Sequence, residues 1–452
     1  MLLRFEVSNH RSIFDPVELS MIAVDEDRSA VRRFDLLSEG VLTTAGIYGP
    51  NASGKSNVLD ALVWLSAAVG RSLRAWDEFI PRDPFKFGDG PEEPSVYEVD
   101  MVVDGIRYIY RVELDELEVN SESLYSYPKR QPRALFDREG SEIRFRRGLG
   151  GLAGGTRELL TPTTLALSAA MRFNEPEIQI FGRHLRDIQW RGFPLRSPFG
   201  GGLLGKWTTR RLFDEGGTRI PAPDSKSEQD LIDGREPALA LLRFADLGID
   251  DVQLVDDGES DPAEEPRRRL RLVHRVAGQE VPFELDQESA GTQMWFRLIG
   301  PMLSALRNGQ IMLFDEIDAS LHPKLSARLL ELFQDPVTNP HGAQLIFTTH
   351  DTSLLNHLNR DEVWLTEKGE DGATTLTALA EYGGDKVRRS LNLERAYLQG
   401  RFGAVPELDQ LALRHALGLL QGDELWRGNV AIRLGGGRLS GRSPFIGPER
   451  RF

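Results

Sequence analysis

GPNASGKS, residues 49–56, is the stretch that decides the fold. It matches the pattern GxxxxGK[ST]. There the glycines let backbone N–H groups turn inward around phosphate oxygens, and the following helix adds its positive N-terminal end. The flanks agree with this reading. VLTTAGIY (41–48) reads as a short buried strand, and the residues after Ser56 place Leu59, Leu62 and Val63 on one helix face. In this setting Gly49, Asn51, Gly54, Lys55, Ser56 and Asn57 form the candidate nucleotide-binding set. Lys55 is expected to reach the β- and γ-phosphates, and Ser56 to ligate Mg²⁺.

Two strands downstream complete the chemistry. IMLFDEID (311–318) is an apolar run of the parallel-strand type that ends in Asp315 and Glu316. An acid at the C-terminal end of such a strand lies beside the phosphate loop. Asp315 suits the Mg²⁺ shell, and Glu316 suits polarising the attacking water. QLIFTTHD (344–351) ends a further apolar run in His350, which can hydrogen-bond the γ-phosphate or the water. Alone, these residues read as solvated acids and a capped histidine; beside a phosphate loop they read as catalytic. Several NTPase types remain open at this point. DQESAGTQ (286–293) narrows them. Ser289 and Gly291 put a hydroxyl and a small residue at the start of a helix that carries Trp295, Leu298, Ile299, Met302, Leu303 and Leu306 on one face, with Pro301 expected to kink it. Such a segment caps its own helix. In ABC-type ATPases a Ser-x-Gly-x segment, likewise ahead of the strand-end acids, instead caps the γ-phosphate held by a second copy.

Composition bounds the rest. The chain has 452 residues and a formal charge of −14 with pI near 5.2, so a global basic field for nucleic acid is missing. Cysteine is absent, which excludes disulfides, thiolate catalysis and cysteine-ligated zinc; the histidines show no HExxH spacing. No stretch approaches the ~18 apolar residues of a membrane span. The opening MLLRFEVSNHRSIF alternates like a strand and lacks signal-peptide features, so a cytoplasmic protein without membrane contact is expected. VYEVDMVVDGIRYIYRVEL (96–114) alternates about Asp104-Gly105, a strong hairpin signal. GLGGLAGG (148–155) reads as a linker, Ile178, Phe181, Leu185 and Ile188 as a helix face, TRIPAPDSKSEQDLIDG (218–234) as an exposed loop, and the arginine-rich end from Arg433 as a loose tail. The expected organisation is an N-terminal ATPase lobe with an antiparallel sheet (1–150), a helical insertion (151–250), a C-terminal ATPase lobe (251–380) and an extension with the tail (381–452).

The order P-loop, insertion, ESAGTQ, LFDEIDASLHP, TTHD resembles the SMC, RecF and OLD branch of ABC-type ATPases. It is similar in particular to stand-alone bacterial AAA family ATPases of the RloA and AriA kind. FEVSNHRSIFDPVELSMIA (5–23), TTLALSAAMRFNEP and YLQGRFGAVPELD (397–409) carry this closer likeness. The resemblance implies a bilobed α/β fold, an ABC-type P-loop ATPase with an antiparallel β subdomain and a helical insertion. It implies ATP and Mg²⁺ as cofactors, slow hydrolysis of ATP to ADP and phosphate, and assembly of two or more copies through the ATP sites. It places Ser289 and Gly291 at the signature, Asp318 and Ser320 at the loop that couples two sites, and Asn9-His10-Arg11-Ser12 at an N-terminal motif. The PFKF segment around Lys86 is the expected place of the glutamine loop that couples an insertion to the nucleotide.

Such ATPases accompany a toxin or nuclease in anti-phage and abortive-infection loci, so an effector partner and a phage trigger protein are expected. The only Asp-x-Asp triplet is Asp25-Glu26-Asp27, near the N-terminus, so the metal-binding nuclease domain of OLD enzymes is not expected. The alternative is a RecF/SMC-like DNA-repair ATPase that binds DNA, for which RRRLRLVHR (267–275) is the best candidate contact; its alternation also fits a strand with one solvated face. A transporter ATPase fits the insertion poorly, and a slow nucleotide-gated scaffold overlaps the defence reading.

Overall fold

The computed structural model describes residues 1–129, 131–146, 150–193, 209–214, 234–245, 248–256, 268–319, 321–382, 392–402 and 417. Every element named below belongs to a compact unit spanning Met1–Val405. The chain opens with β1 (Leu2–Ser8), β2 (Val17–Ser20), β3 (Val31–Arg32), β4 (Val41–Leu42), β5 (Thr44–Tyr48) and α1 (Lys55–Ala75). Antiparallel strands follow: β6 (Ser95–Val103), β7 (Ile106–Leu114), β8 (Val119–Tyr127), β9 (Arg133–Glu139) and β10 (Glu142–Phe145). Then come α2 (Gly150–Leu159), α3 (Ala166–Ala170), α4 (Pro176–Arg186), β11 (Gln189–Arg191) and α5 (Arg235–Ala245). The second half holds β12 (Ile249–Asp256), β13 (Arg268–Val276), β14 (Gln279–Glu284), α6 (Ala290–Asn308), β15 (Ile311–Phe314), α7 (Pro323–Gln334), β16 (Gln344–Thr348), β17 (Val363–Lys368), β18 (Thr374–Ala378) and α8 (Leu393–Leu398).

Seven strands form an antiparallel sheet in the order β10-β9-β8-β7-β6-β1-β2. Asp104 and Gly105, at φ 49° and 74°, make the two-residue turn between β6 and β7, which needs a positive φ at both central residues. Six strands form the second sheet, β11-β15-β16-β5-β17-β18, in which only β18 runs antiparallel to its neighbour. The apolar runs of that sheet are buried on both faces, as parallel strands covered on both sides require. Ile311 and Leu313 join one core, shared with α1 and the antiparallel sheet, while Met312 and Phe314 join a second core with α6 and α7. The six-stranded sheet is thus the wall between two cores, and its C-terminal edge is where side chains of both halves meet.

Several local features have physical causes. From Gly150 on, the glycine-rich stretch is not a linker: Gly150–Leu159 is helical, and Gly155 leaves room for the Phe173 ring, so packing overrides glycine's poor helix propensity. Buried Glu122 accepts the Tyr110 hydroxyl and the N–H groups of Ala166 and Leu167, while Arg138 donates to the carbonyls of Thr161 and Thr164. Burial pushes the Glu122 carboxyl up and the Arg138 charge opposes it. This pair clamps the TTLALSAA stretch to the sheet. The helix α6 runs unbroken through Pro301, with the Gly300 N–H donated to Thr209 Oγ1 at 2.8 Å. No helix among the described residues is long and apolar enough to cross a membrane. Residues 218–233, the tail arginines (Arg433, Arg438, Arg442, Arg450, Arg451), Ser320 and 403–409 lie outside the described residues.

Candidate nucleotide site

The strand β5 is wholly buried and delivers the loop 49–54 at the C-terminal edge of the six-stranded sheet. Gly49 has φ 151° and Gly54 φ 100°. A side chain at Gly49 would strike Thr366 on β17, and one at Gly54 would strike Thr374 and Ser12, so both glycines are required by packing as well as by backbone shape. Gly54 caps α1 without a side chain. Asn57 and Val58 donate their N–H groups to the Gly54 carbonyl, which leaves those of Lys55 and Ser56 for a ligand at the helix end. Asn51 is exposed on the outer turn of the loop.

The Lys55 ammonium is buried and folds back onto the carbonyls of Gly49 (3.0 Å) and Pro50 (2.9 Å). Burial lowers its pKa, and the carboxylates of Glu316, Asp315 and Asp318 oppose that shift, so all three acids lie within its electrostatic reach. Ser56 Oγ donates to Asp315 Oδ1 at 2.8 Å. The same oxygen accepts the Thr348 hydroxyl at 2.6 Å, and Thr348 Oγ1 in turn accepts the Glu316 N–H at 2.8 Å. Glu316 is exposed, with its backbone at φ 52°. Asp318 accepts the Thr349 hydroxyl (2.7 Å) and the His350 N–H (3.2 Å), which ties the segment after the acids to the strand-end histidine. A serine hydroxyl in direct contact with a carboxylate, next to a lysine, is a donor set that fits Mg²⁺ and a phosphate chain.

Sequence reasoning missed Thr348 and Thr349. The Thr348 hydroxyl links Asp315 to the Glu316 N–H, and Asp318 gathers the Thr349 hydroxyl and the His350 N–H; the only signal was a pair of threonines at the end of an apolar run. It also missed Ser12 and Thr374. Asn57 Nδ2 donates to Ser12 Oγ (2.6 Å), which hydrogen-bonds Thr374 Oγ1 (2.7 Å). In the N-terminal motif, His10 is buried between Tyr97 Oη and Asp60, both at 3.0 Å, and Arg11 pairs with Asp60 (3.1 Å) and Asp83 (3.4 Å). Asn9 fastens the loop to Gly90 and Phe85.

PFKF does not lie near Asp315. Phe85 is held by Asn9, Lys86 pairs with Asp83 at 2.9 Å, and Phe87 lies beside the β17–β18 turn, at the far end of the sheet from β15. The strand beside Asp315 on the side away from β16 is β11, whose Arg191 carbonyl accepts the Asp315 N–H at 2.9 Å. A three-residue strand has no periodicity to betray it. Ser289 and Gly291 stand at the exposed start of α6. Within the chain, Ser289 Oγ accepts the Thr292 N–H (3.1 Å) and lies 2.9 Å from Thr292 Oγ1, while Glu288 is clasped by His274 at 2.8 Å.

A family model described as "AAA domain, putative AbiEii toxin, Type IV TA system" matches residues 45–356. No curated protein matches the chain. Among solved structures, the SmcHead bound to the C-winged helix domain of ScpA is 14% identical, with 83% of this chain and 97% of that chain covered and a TM-score of 0.42. The SMC head domain from Thermotoga maritima is 13% identical (83% and 98% covered, TM-score 0.36). The Smc head domain with a coiled coil and joint derived from Pyrococcus yayanosii is 12% identical (88% and 98% covered, TM-score 0.40).

Proposed function

This chain belongs to the AAA-domain family whose model spans residues 45–356, and on that premise we propose that it is a slow cytoplasmic ATPase serving as sensor or scaffold of a bacterial anti-phage defence system. It controls a separate toxin or nuclease through ATP-dependent assembly. The family description, which speaks of a toxin and a toxin–antitoxin system, supports the defence part. The observation that carries the ATPase part is the hydrogen-bonded chain Ser56–Asp315–Thr348–Glu316 beside the buried Lys55 ammonium.

In this reading Lys55 and the N–H groups at the start of α1 bind the phosphates, and Ser56 and Asp315 hold Mg²⁺. Held there, Mg²⁺ would supply positive charge that offsets the charge on the phosphates. Thr348 fixes the Asp315 carboxylate and the Glu316 backbone together, so Glu316 is aimed at the attacking water by the same hydroxyl that orients the metal ligand. His350, two residues beyond the end of β16, would sense the γ-phosphate. A second copy brings Ser289 and Gly291 to that phosphate, and its loss on hydrolysis releases the contact.

The test is the solution mass of Glu316→Gln with and without ATP-Mg²⁺, beside Ser289→Arg, with Lys55→Ala as the variant that does not bind. A rise in mass that needs ATP and is lost in Ser289→Arg is the expected result. Assembly indifferent to both nucleotide and Ser289→Arg would overturn the trans site.

A further inference from the structure

We propose that Phe87 is the stacking surface for the purine base of the bound nucleotide; the proposal rests on the nucleotide reading of the P-loop above. The sheet order sets the direction. Asp315 and Glu316 follow β15, two strands from β5 on one side, whereas β17 and β18 lie on the other. A triphosphate whose γ end sits at the acids therefore sends its base toward β18.

Three loops converge on that side. The Asn9–Ser12 segment is tied to the first turn of α1 by the bond from Asn57 to Ser12, and to β18 by the Ser12–Thr374 pair. The 82–90 loop is tied to the same segment, with the Arg11 N–H donated to the Asp83 carbonyl (2.7 Å) and the Phe85 N–H donated to Asn9 Oδ1 (2.9 Å). The β17–β18 turn completes the rim, and Gly372, at φ 83°, sits so that an added Cβ would lie 3.5 Å from the Phe87 ring.

Phe87 is 63% exposed and rests on a buried ring. Its ring meets buried Phe85 edge-on at 5.5 Å, and Phe85 packs on Phe14 at 5.3 Å. A lone exposed phenylalanine is ordinary on a protein surface. One braced from below by a buried ring, on a loop hydrogen-bonded to the P-loop helix's own anchor and on the side the base must take, is a preformed platform. Every base has a π-face, so stacking gives affinity without choosing between purines.

The experiment is equilibrium binding to the full chain of ATP-Mg²⁺, GTP-Mg²⁺ and Mg²⁺-tripolyphosphate, for wild type, Phe87→Ala, Phe87→Trp and Lys55→Ala. Phe87→Ala is expected to weaken ATP and GTP alike by roughly five- to a hundredfold and to leave tripolyphosphate unchanged. Phe87→Trp should restore binding and add a fluorescence signal quenched by ATP but not by tripolyphosphate. ATP affinity equal to wild type in Phe87→Ala, with Lys55→Ala defective, overturns the platform and leaves the nucleotide reading standing. Equal losses for ATP and tripolyphosphate also overturn it, since the damage then lies in the phosphate loop. If wild type itself binds no ATP, the nucleotide reading fails first and the platform with it.

Discussion

Glu316 is held at φ 52°, in the left-handed region that costs a residue with a Cβ about 1–2 kcal/mol. The strain is maintained by its surroundings: its N–H is donated to Thr348 Oγ1, and the Ile317 N–H to the Thr348 carbonyl. Strained backbone held this way is a recurring feature of catalytic positions. The two substitutions that remove the carboxylate should therefore differ in stability. Glu316→Ala and Glu316→Gly should both lose turnover, by about 10²–10⁴-fold. Glu316→Gly should nonetheless unfold at higher denaturant, by about 1 kcal/mol, because glycine accepts the left-handed region freely. Chemical unfolding of the two variants checks this; equal stabilities would mean that the strand end relaxes without cost. At this scale Lys55, Ser56, Asp315 and Glu316 were legible because each belongs to a patterned stretch. Thr348 was not, since its role depends on β15 and β16 pairing with Phe314 opposite Phe347, a register no local pattern records.

At the start of α6 an observed N-cap and the proposed trans contact fall on one residue, and substitutions can separate them. Ser289 is a true N-cap, its hydroxyl accepting the Thr292 N–H, and it is exposed where a second copy could meet it. Aspartate caps a helix as well as serine does, whereas alanine costs about 1 kcal/mol. Ser289→Asp should therefore melt like wild type while its carboxylate repels the γ-phosphate and abolishes ATP-dependent assembly. Ser289→Ala should lose about 1 kcal/mol of stability and keep part of the assembly. Melting curves and solution mass, taken together, separate the roles; normal assembly of Ser289→Asp would leave α6 with a cap and nothing more. Elements with strong periodicity or turn chemistry, such as the β6–β7 hairpin and the face of α6, were readable in advance. α2 and β11 were not: a glycine-rich helix and a three-residue edge strand exist only because of what they pack against or pair with.

For the whole molecule, the question is which surface meets a macromolecule. The apolar faces of β5, β15 and β16 announced a buried parallel sheet, and the alternation of RRRLRLVHR announced a strand with one wet face. What that wet face does was decided by acids on the two neighbouring strands. Arg271 pairs with Glu284 at 2.8 Å, and Arg275 with Glu280 at 2.5 Å and Asp250 at 2.7 Å; Arg269 is likewise engaged. A net charge of −14 adds no long-range attraction for a polyanion. Arg271 and Arg275 are thus paired within their own meander, which weighs against the DNA-repair alternative. Binding of a DNA duplex at near-physiological salt should stay in the non-specific range of about 10⁻⁴–10⁻⁶ M. An Arg269→Ala/Arg271→Ala double variant should change neither that affinity nor its slope with salt. Tight binding that falls steeply with salt and weakens in the double variant would turn the assignment toward DNA, because the intrachain pairs would then have to open to release the phosphate-binding charges.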